Sequence, residues 1–169
     1  VGVTSGGIIR STTIDTPDAE ASCGSAECTT LTETIVVEVP KFQATLIWGE
    51  TPTDLDSHFT GPLGSGRFEV YYDYRGSLTA SPYAYLDTDD VTSFGPEITT
   101  LSRCMTGVYR YSVHNYSETP GMETSEAKVT VLLPDGSIGE YEIPTSNPEA
   151  NLVWIVGDLT CDDSCSCSW

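Results

Sequence analysis

The side chains best placed to do chemistry lie between Leu46 and Pro62, in LIWGETPTDLDSHFTGP. An apolar run (Leu46, Ile47, Trp48) stops at Gly49, a Pro-bearing turn follows, and Asp54, Asp56 and His58 then fall at every second residue. In extended backbone, side chains two apart share a face. Two carboxylates and an imidazole are therefore expected to point one way, with Leu55 and Phe59 turned toward the core. A second acidic run, Asp87, Asp89 and Asp90, stands in AYLDTDD. If both loops meet at one end of the fold, Asp54, Asp56, Asp87, Asp89 and Asp90 form a set of hard oxygen ligands. Such a set suits calcium, which accepts irregular loops. His58 does not belong in a pure calcium site and has the alternative of hydrogen-bonding a loop. The competing expectation is that these aspartates cap turns by accepting backbone N–H bonds.

Catalysis is not expected. The chain has two histidines and lacks a G-x-S-x-G elbow, an H-E-x-x-H pair, a P-loop and a dinucleotide fingerprint. Carboxylate pairs of the kind that hydrolyse glycosides are present only because acidic residues are abundant. Glycan binding has a candidate surface in the tyrosines Tyr71, Tyr72, Tyr74, Tyr83 and Tyr85, although tyrosine on a sheet more often packs. Asn115-Tyr116-Ser117 is an N-glycosylation sequon and marks Asn115 as a surface acceptor.

Composition narrows the partners and the compartment. Seven Lys and Arg against 25 Asp and Glu leave a net charge of −18. That charge repels phosphate backbones and anionic lipid, which excludes nucleic acid and membrane surfaces as expected partners. No apolar run approaches the roughly 20 residues that span a bilayer. The 169 residues suit one domain with a sizeable core. Six cysteines in a Thr-, Ser- and Tyr-rich chain point to an oxidising, extracellular setting. Cys23, Cys28, Cys104, Cys161, Cys165 and Cys167 have no zinc-site spacing and are expected to form disulfides that staple both tails to the body, in an order that spacing alone does not settle. With no Met or signal peptide ahead of Val1, the chain reads as a matured secreted protein.

The elements that must hold these residues are strands. Phe42, Ala44, Leu46 and Trp48 share one face, as do Phe68, Val70, Tyr72 and Tyr74, then Tyr109, Tyr111 and Val113, then Ala127, Val129, Val131 and Leu133. Asp135-Gly136 is a hairpin signal, and NLVWIVGDL, apolar on both faces, reads as a centrally buried strand. Turn signals recur about every ten residues, with no helical pattern. The expected fold is all-β, a β-sandwich or jelly roll of about 8–10 mostly antiparallel strands. Its divisions are an N-terminal strand-forming arm over 1–16, a Cys-containing linker over 17–30, the sandwich over 31–160 and a Cys-rich tail over 161–169.

The motif W-G-x-x-P-x-D-L-D-x-H, carried by Trp48, Gly49, Pro52, Asp54, Leu55, Asp56 and His58, resembles the signature of a family of secreted β-sandwich domains found in bacterial and protist surface proteins. Leu86 to Asp90, Gly95 to Glu97, Gly107 to Tyr109 and Val113 to Tyr116 fit the same pattern, so the resemblance covers Phe42 to Leu159. It implies a sandwich fold and a surface location, and it brings no catalytic set.

The arm and the Cys-rich tail lie outside that resemblance. The arm, VGVTSGGIIRSTTIDT, is rich in β-branched residues and is separated from the body by a polar segment. A strand-forming arm ahead of a stapled sandwich is the layout of donor-strand assemblies, in which one subunit completes the sheet of the next. Val1, Val3, Ile8, Ile9 and Ile14 would be the binding side chains, and Gly6-Gly7 would permit a bulge. The expected function is thus the protomer of an extracellular filament whose partners are identical subunits. The alternative is a monomeric secreted module that binds carbohydrate or calcium.

Overall fold

A computed structural model describes residues 39–145 and 152–169. The arm residues Val1, Val3, Ile8, Ile9 and Ile14, together with Cys23 and Cys28, lie outside the described residues. Pro40–Trp169 is one compact unit. It is an all-β sandwich of two five-stranded antiparallel sheets.

Chain order is β1 (Phe42–Ile47), β2 (Leu55–Leu63), β3 (Gly66–Val70), β4 (Ala84–Leu86), β5 (Glu97–Leu101), β6 (Gly107–Asn115), β7 (Lys128–Leu132), β8 (Ile138–Glu142), β9 (Val153–Cys161) and β10 (Cys167–Ser168). The first sheet runs β4-β5-β1-β7-β8 and the second β10-β9-β6-β2-β3. The chain crosses between sheets from β1 to β2, β3 to β4, β5 to β6, β6 to β7 and β8 to β9, and the first three are the crossings of an immunoglobulin-type sandwich. The β7–β8 hairpin then occupies the flank of β1 that a leading strand takes in that arrangement. A 3₁₀ turn, Met122–Thr124, connects β6 to β7.

Alternation sets which face of each strand goes inside. Phe42, Ala44 and Leu46 of β1 are fully buried, as are Leu55 and Phe59 of β2 and Tyr109, Tyr111 and Val113 of β6. The two sheets meet in a stack of rings. Phe42 lies 5.1 Å from Phe59 and 5.2 Å from Trp169, and Phe59 lies 5.6 Å from Tyr109. Such pairs add about 0.5–1.5 kcal/mol each beyond the area they bury. Gly61 makes room for this stack, because a Cβ there would run into the Tyr109 ring. The Tyr109 hydroxyl donates to the Met105 carbonyl at 3.0 Å and accepts from the Met105 N–H at 2.6 Å. It ties the start of β6 to the loop before it, as the tyrosine corner of immunoglobulin-type sandwiches does.

The C-terminal residues belong to this body. β10 pairs with β9, and Trp169 packs on Phe42 and Tyr141. Disulfides join Cys104 to Cys165 and Cys161 to Cys167. They staple the C-terminal tail. The expected staple from the N-terminal tail rests on Cys23 and Cys28, which lie outside the described residues.

Two strand expectations change. The alternation expected to continue through Tyr72 and Tyr74 ends with β3 at Val70, and Tyr71 to Arg75 form a loop. β9, expected to be buried on both faces, is buried on one: Val153 and Ile155 are about half exposed. The outer face of the second sheet carries no further layer among the described residues. The register of β6 on β9 also shifts between Tyr111 and Ser112, which leaves Val156 as the extra residue of a bulge. That residue changes the phase of β9. Trp154 faces inward before it, and Leu159 and Cys161 face inward after it.

Candidate functional site

The polar residues gather at the end of the sandwich where the β1–β2 loop meets the β4–β5 loop. The centre of the arrangement is Glu97, the first residue of β5, whose side chain is fully buried. Gly95, at φ +72°, makes the turn that delivers it. Glu97 Oε2 accepts the Ser57 N–H at 2.7 Å, bridging the two sheets, and Oε1 accepts the Asp90 N–H at 3.2 Å, holding the β4–β5 loop. Ser57 Oγ is in turn 2.7 Å from the Tyr111 hydroxyl inside the core. Burial pushes the Glu97 carboxyl up to about 7, against the opposing pull of its bonds to Ser57 and Asp90.

Asp56 is the outlier. It points to the outer face of β2, as the alternation requires, and yet it is only 2% exposed. Burial, followed by the charges of Asp54, Glu97 and Asp89, raises its carboxyl to about 8. Asp54, half-buried, is also raised, by burial and then by Asp89 and Asp90. One carboxylate oxygen from each of Asp54, Asp56 and Asp89 lies within 4.8 Å of the others. Asp54 Oδ1 and Asp56 Oδ2 are buried and make no hydrogen bond. Burying carboxylates beside one another without donors or cations is unfavourable. Protonation relieves it, as the raised Asp54 and Asp56 carboxyls reflect, and a divalent cation held between them would do the same.

The five aspartates expected as ligands thus divide. Asp54, Asp56 and Asp89 converge. Asp87 does not: its Oδ1 accepts the Thr88 N–H at 2.6 Å and the Ile98 N–H at 2.8 Å. Asp90 Oδ1 likewise accepts both the N–H and the hydroxyl of Thr92 at 2.8 Å. These two take the turn-capping role, since a short carboxylate in a loop reaches the backbone N–H groups one or two residues on.

The imidazoles stand on the other side of Asp56. His58 Nδ1 lies 2.8 Å from Glu69 Oε1 on the neighbouring β3, and its ring stacks on Tyr71 at 5.3 Å. His114 of β6 sits directly opposite Asp56 in the strand register. Its Nδ1 is 3.5 Å from Asp56 Oδ2, an approach that does not meet hydrogen-bond geometry. Burial, and then the nearby His58, lower the His114 pKa, so the ring is neutral near pH 7.

Two residues of this site were not among the sequence candidates. Glu97 had a signal, since it shares inward parity with Thr99 and Leu101 along β5. His114 had none, because its proximity to Asp56 comes from the pairing of strands that lie far apart in the chain.

Other expected sites fare differently. Asn115 is fully buried and its Nδ2 donates to the Pro120 carbonyl at 2.9 Å. The sequon asparagine is therefore part of the interior, out of reach of a glycan-transferring enzyme in the folded state. The tyrosine cluster separates: Tyr71 and Tyr72 pack beside the histidines, while Tyr83 and Tyr85 lie under Arg103 and Arg75. Among the described residues, no helix is long and apolar enough to cross a membrane. No protein-family model and no solved structure matches this chain.

Proposed function

We propose that this protein is the structural protomer of an extracellular filament, in which the N-terminal arm of one subunit adds a strand to the sandwich of the next. The observation that supports it is that Pro40–Trp169 builds both sheets and one continuous core from its own strands. A sandwich that builds both sheets from its own strands offers edge strands on which an extended segment rich in Val and Ile can add. Among the described residues the sandwich has two edge strands long enough to receive it, the five-residue β3 and β8, against three residues in β4 and two in β10. β8 is the better acceptor. Ile138, 66% exposed, would meet the arm's apolar side chains, and Glu140 and Glu142 beside it would receive Arg10. The contact is heterologous, so repetition without closure gives a helical fibre. Full burial of Val1, Val3, Ile8, Ile9 and Ile14 would contribute on the order of 7–15 kcal/mol as an upper bound. The disulfides and the acidic surface suit an extracellular life. Removing residues 1–14 should leave a folded, soluble sandwich that forms no fibres by electron microscopy. Fibres from the truncated chain would end this reading.

A second reading, a secreted calcium-binding module, is favoured by the convergence of Asp54, Asp56 and Asp89. Calcium bound there would clamp the β1–β2 and β4–β5 loops and stabilise the folded state according to its concentration. Chelation should then lower the melting temperature of the native protein, and Asp89→Asn should remove that sensitivity. A melting curve indifferent to calcium would exclude it.

A further inference from the structure

We propose a second cation site on the outer face of the second sheet, made by Asp56, His58 and His114 and suited to zinc or a similar borderline transition ion. One ligand atom from each residue lies within 4.8 Å of the others. The three atoms left without a hydrogen-bond partner here, Asp56 Oδ2, His58 Nε2 and His114 Nδ1, are all buried. Asp56 itself is 2% exposed, so its orphaned oxygen is not a surface accident. The 3.5 Å between Asp56 Oδ2 and His114 Nδ1 is wrong for a well-made hydrogen bond. It is close to the edge of a tetrahedron, about 3.3 Å, spanned by two ligands each 2.0–2.1 Å from zinc.

The surroundings match what such a site needs. A metal-bound histidine usually gives its other ring nitrogen to a carboxylate, which fixes the tautomer and turns the free nitrogen inward. Glu69 does this to His58 at 2.8 Å. Tyr71 stacks on His58, Tyr72 packs edge-on against Tyr71 and Tyr116, and Tyr116 lies edge-on to His114, so the rings are held in place by an aromatic wall. All three ligands stand on paired strands, with Asp56 opposite His114 and His58 one pleat further along β2. Two nitrogens and one carboxylate oxygen suit zinc, whereas calcium prefers the all-oxygen set on the far side of Asp56. Three protein ligands leave one tetrahedral position for water or a group from a partner molecule.

The test uses the full chain with its disulfides intact, freed of metal by chelation. Zinc titrated by calorimetry and by competition with a chromophoric chelator should bind once per chain. Cobalt in its place should give the intense visible absorption of a tetrahedral ion. His114→Ala should abolish both signals. Glu69→Gln, which leaves all ligands in place, should weaken zinc binding by about 10–100-fold. His58→Gln, with circular dichroism confirming the fold, guards against loss by misfolding. Asp89→Asn should leave zinc binding unchanged, which separates this site from a calcium site sharing Asp56. Absent zinc binding, binding indifferent to His114→Ala in a folded variant, or a near-ultraviolet thiolate-to-cobalt band would each overturn the proposal.

Discussion

The buried carboxylates make the metal-free protein sensitive to pH in an unusual direction. Asp56 rises from an ordinary 3.8 to about 8, and Glu97 from 4.5 to about 7. In the unfolded chain both are ionised above about pH 5; in the fold both keep their protons well beyond it. Between the two sets of values the folded state binds more protons, so raising the pH favours unfolding and stability falls. One such group costs about 1.4 kcal/mol per pH unit, so Asp56 alone removes roughly 3 kcal/mol between pH 5 and pH 7. Glu97 acts in the same direction up to its own value. Since its charge is one cause of the Asp56 shift, the two effects overlap, and the pair is expected to remove about 3–5 kcal/mol over that interval. For a body of this size the loss corresponds to a fall in melting temperature of roughly 10 °C or more. Thermal unfolding in chelator at half-unit steps from pH 4.5 to 8 measures it directly. Asp56→Asn keeps the shape of the side chain without its ionisation. It should remove more than half of the slope and make the chelated protein more stable than the parent at pH 7. Stability that is flat or rises between pH 5 and 7, or an Asp56→Asn variant with the full slope, would refute the argument. A cation bound beside Asp56 should flatten the parent curve, because it lets the carboxylate ionise without penalty.

The remaining expectations concern the frame that holds the site. Cleaving the Cys104–Cys165 bond, which closes a separation of 61 residues, should cost about 4 kcal/mol by loop entropy, while the six-residue separation of Cys161–Cys167 should cost about 2. Denaturant unfolding of Cys104→Ala/Cys165→Ala and Cys161→Ala/Cys167→Ala pairs compares them, and equal losses would count against the entropic account. Tyr109→Phe removes both bonds to Met105 while leaving the ring in its stack. It should lower stability by about 1–3 kcal/mol with an unchanged denaturant slope, and a neutral effect would mean that the loop re-satisfies itself with water.

Much of the sandwich was legible from the order of residues alone. The inward faces of β1 and β6, from Phe42 to Leu46 and from Tyr109 to Val113, follow from a period of two, because successive side chains of a strand point to opposite sides whatever the strand pairs with. Asp135-Gly136 marked the β7–β8 turn for an equally local reason: Gly136 supplies φ +85° without steric cost. The outward parity of Asp56 and His58 was legible in the same way.

Tertiary structure decided everything that depends on which strands meet, in what register, and under what cover. Alternation placed Asp56 outward, where a carboxylate is normally solvated, and could not show that neighbouring loops bury it. It put Asn115 on the inward parity of Tyr109, Tyr111 and Val113, and could not show that this end of β6 is covered deeply enough to close the sequon off. The bulge at Val156 exists only in relation to β6, so nothing within NLVWIVGDL reveals that the inward face changes phase there. The distinction between Asp89, which converges with Asp54 and Asp56, and Asp87 and Asp90, which turn to the backbone, lies in loop geometry that identical side chains do not encode. His114 reaches Asp56 because β2 and β6 pair in one register out of many, and that register is set by fitting Leu55, Phe59, Tyr109 and Tyr111 into one core. Local chemistry determines the face on which a residue stands; the packing of distant residues determines what stands beside it.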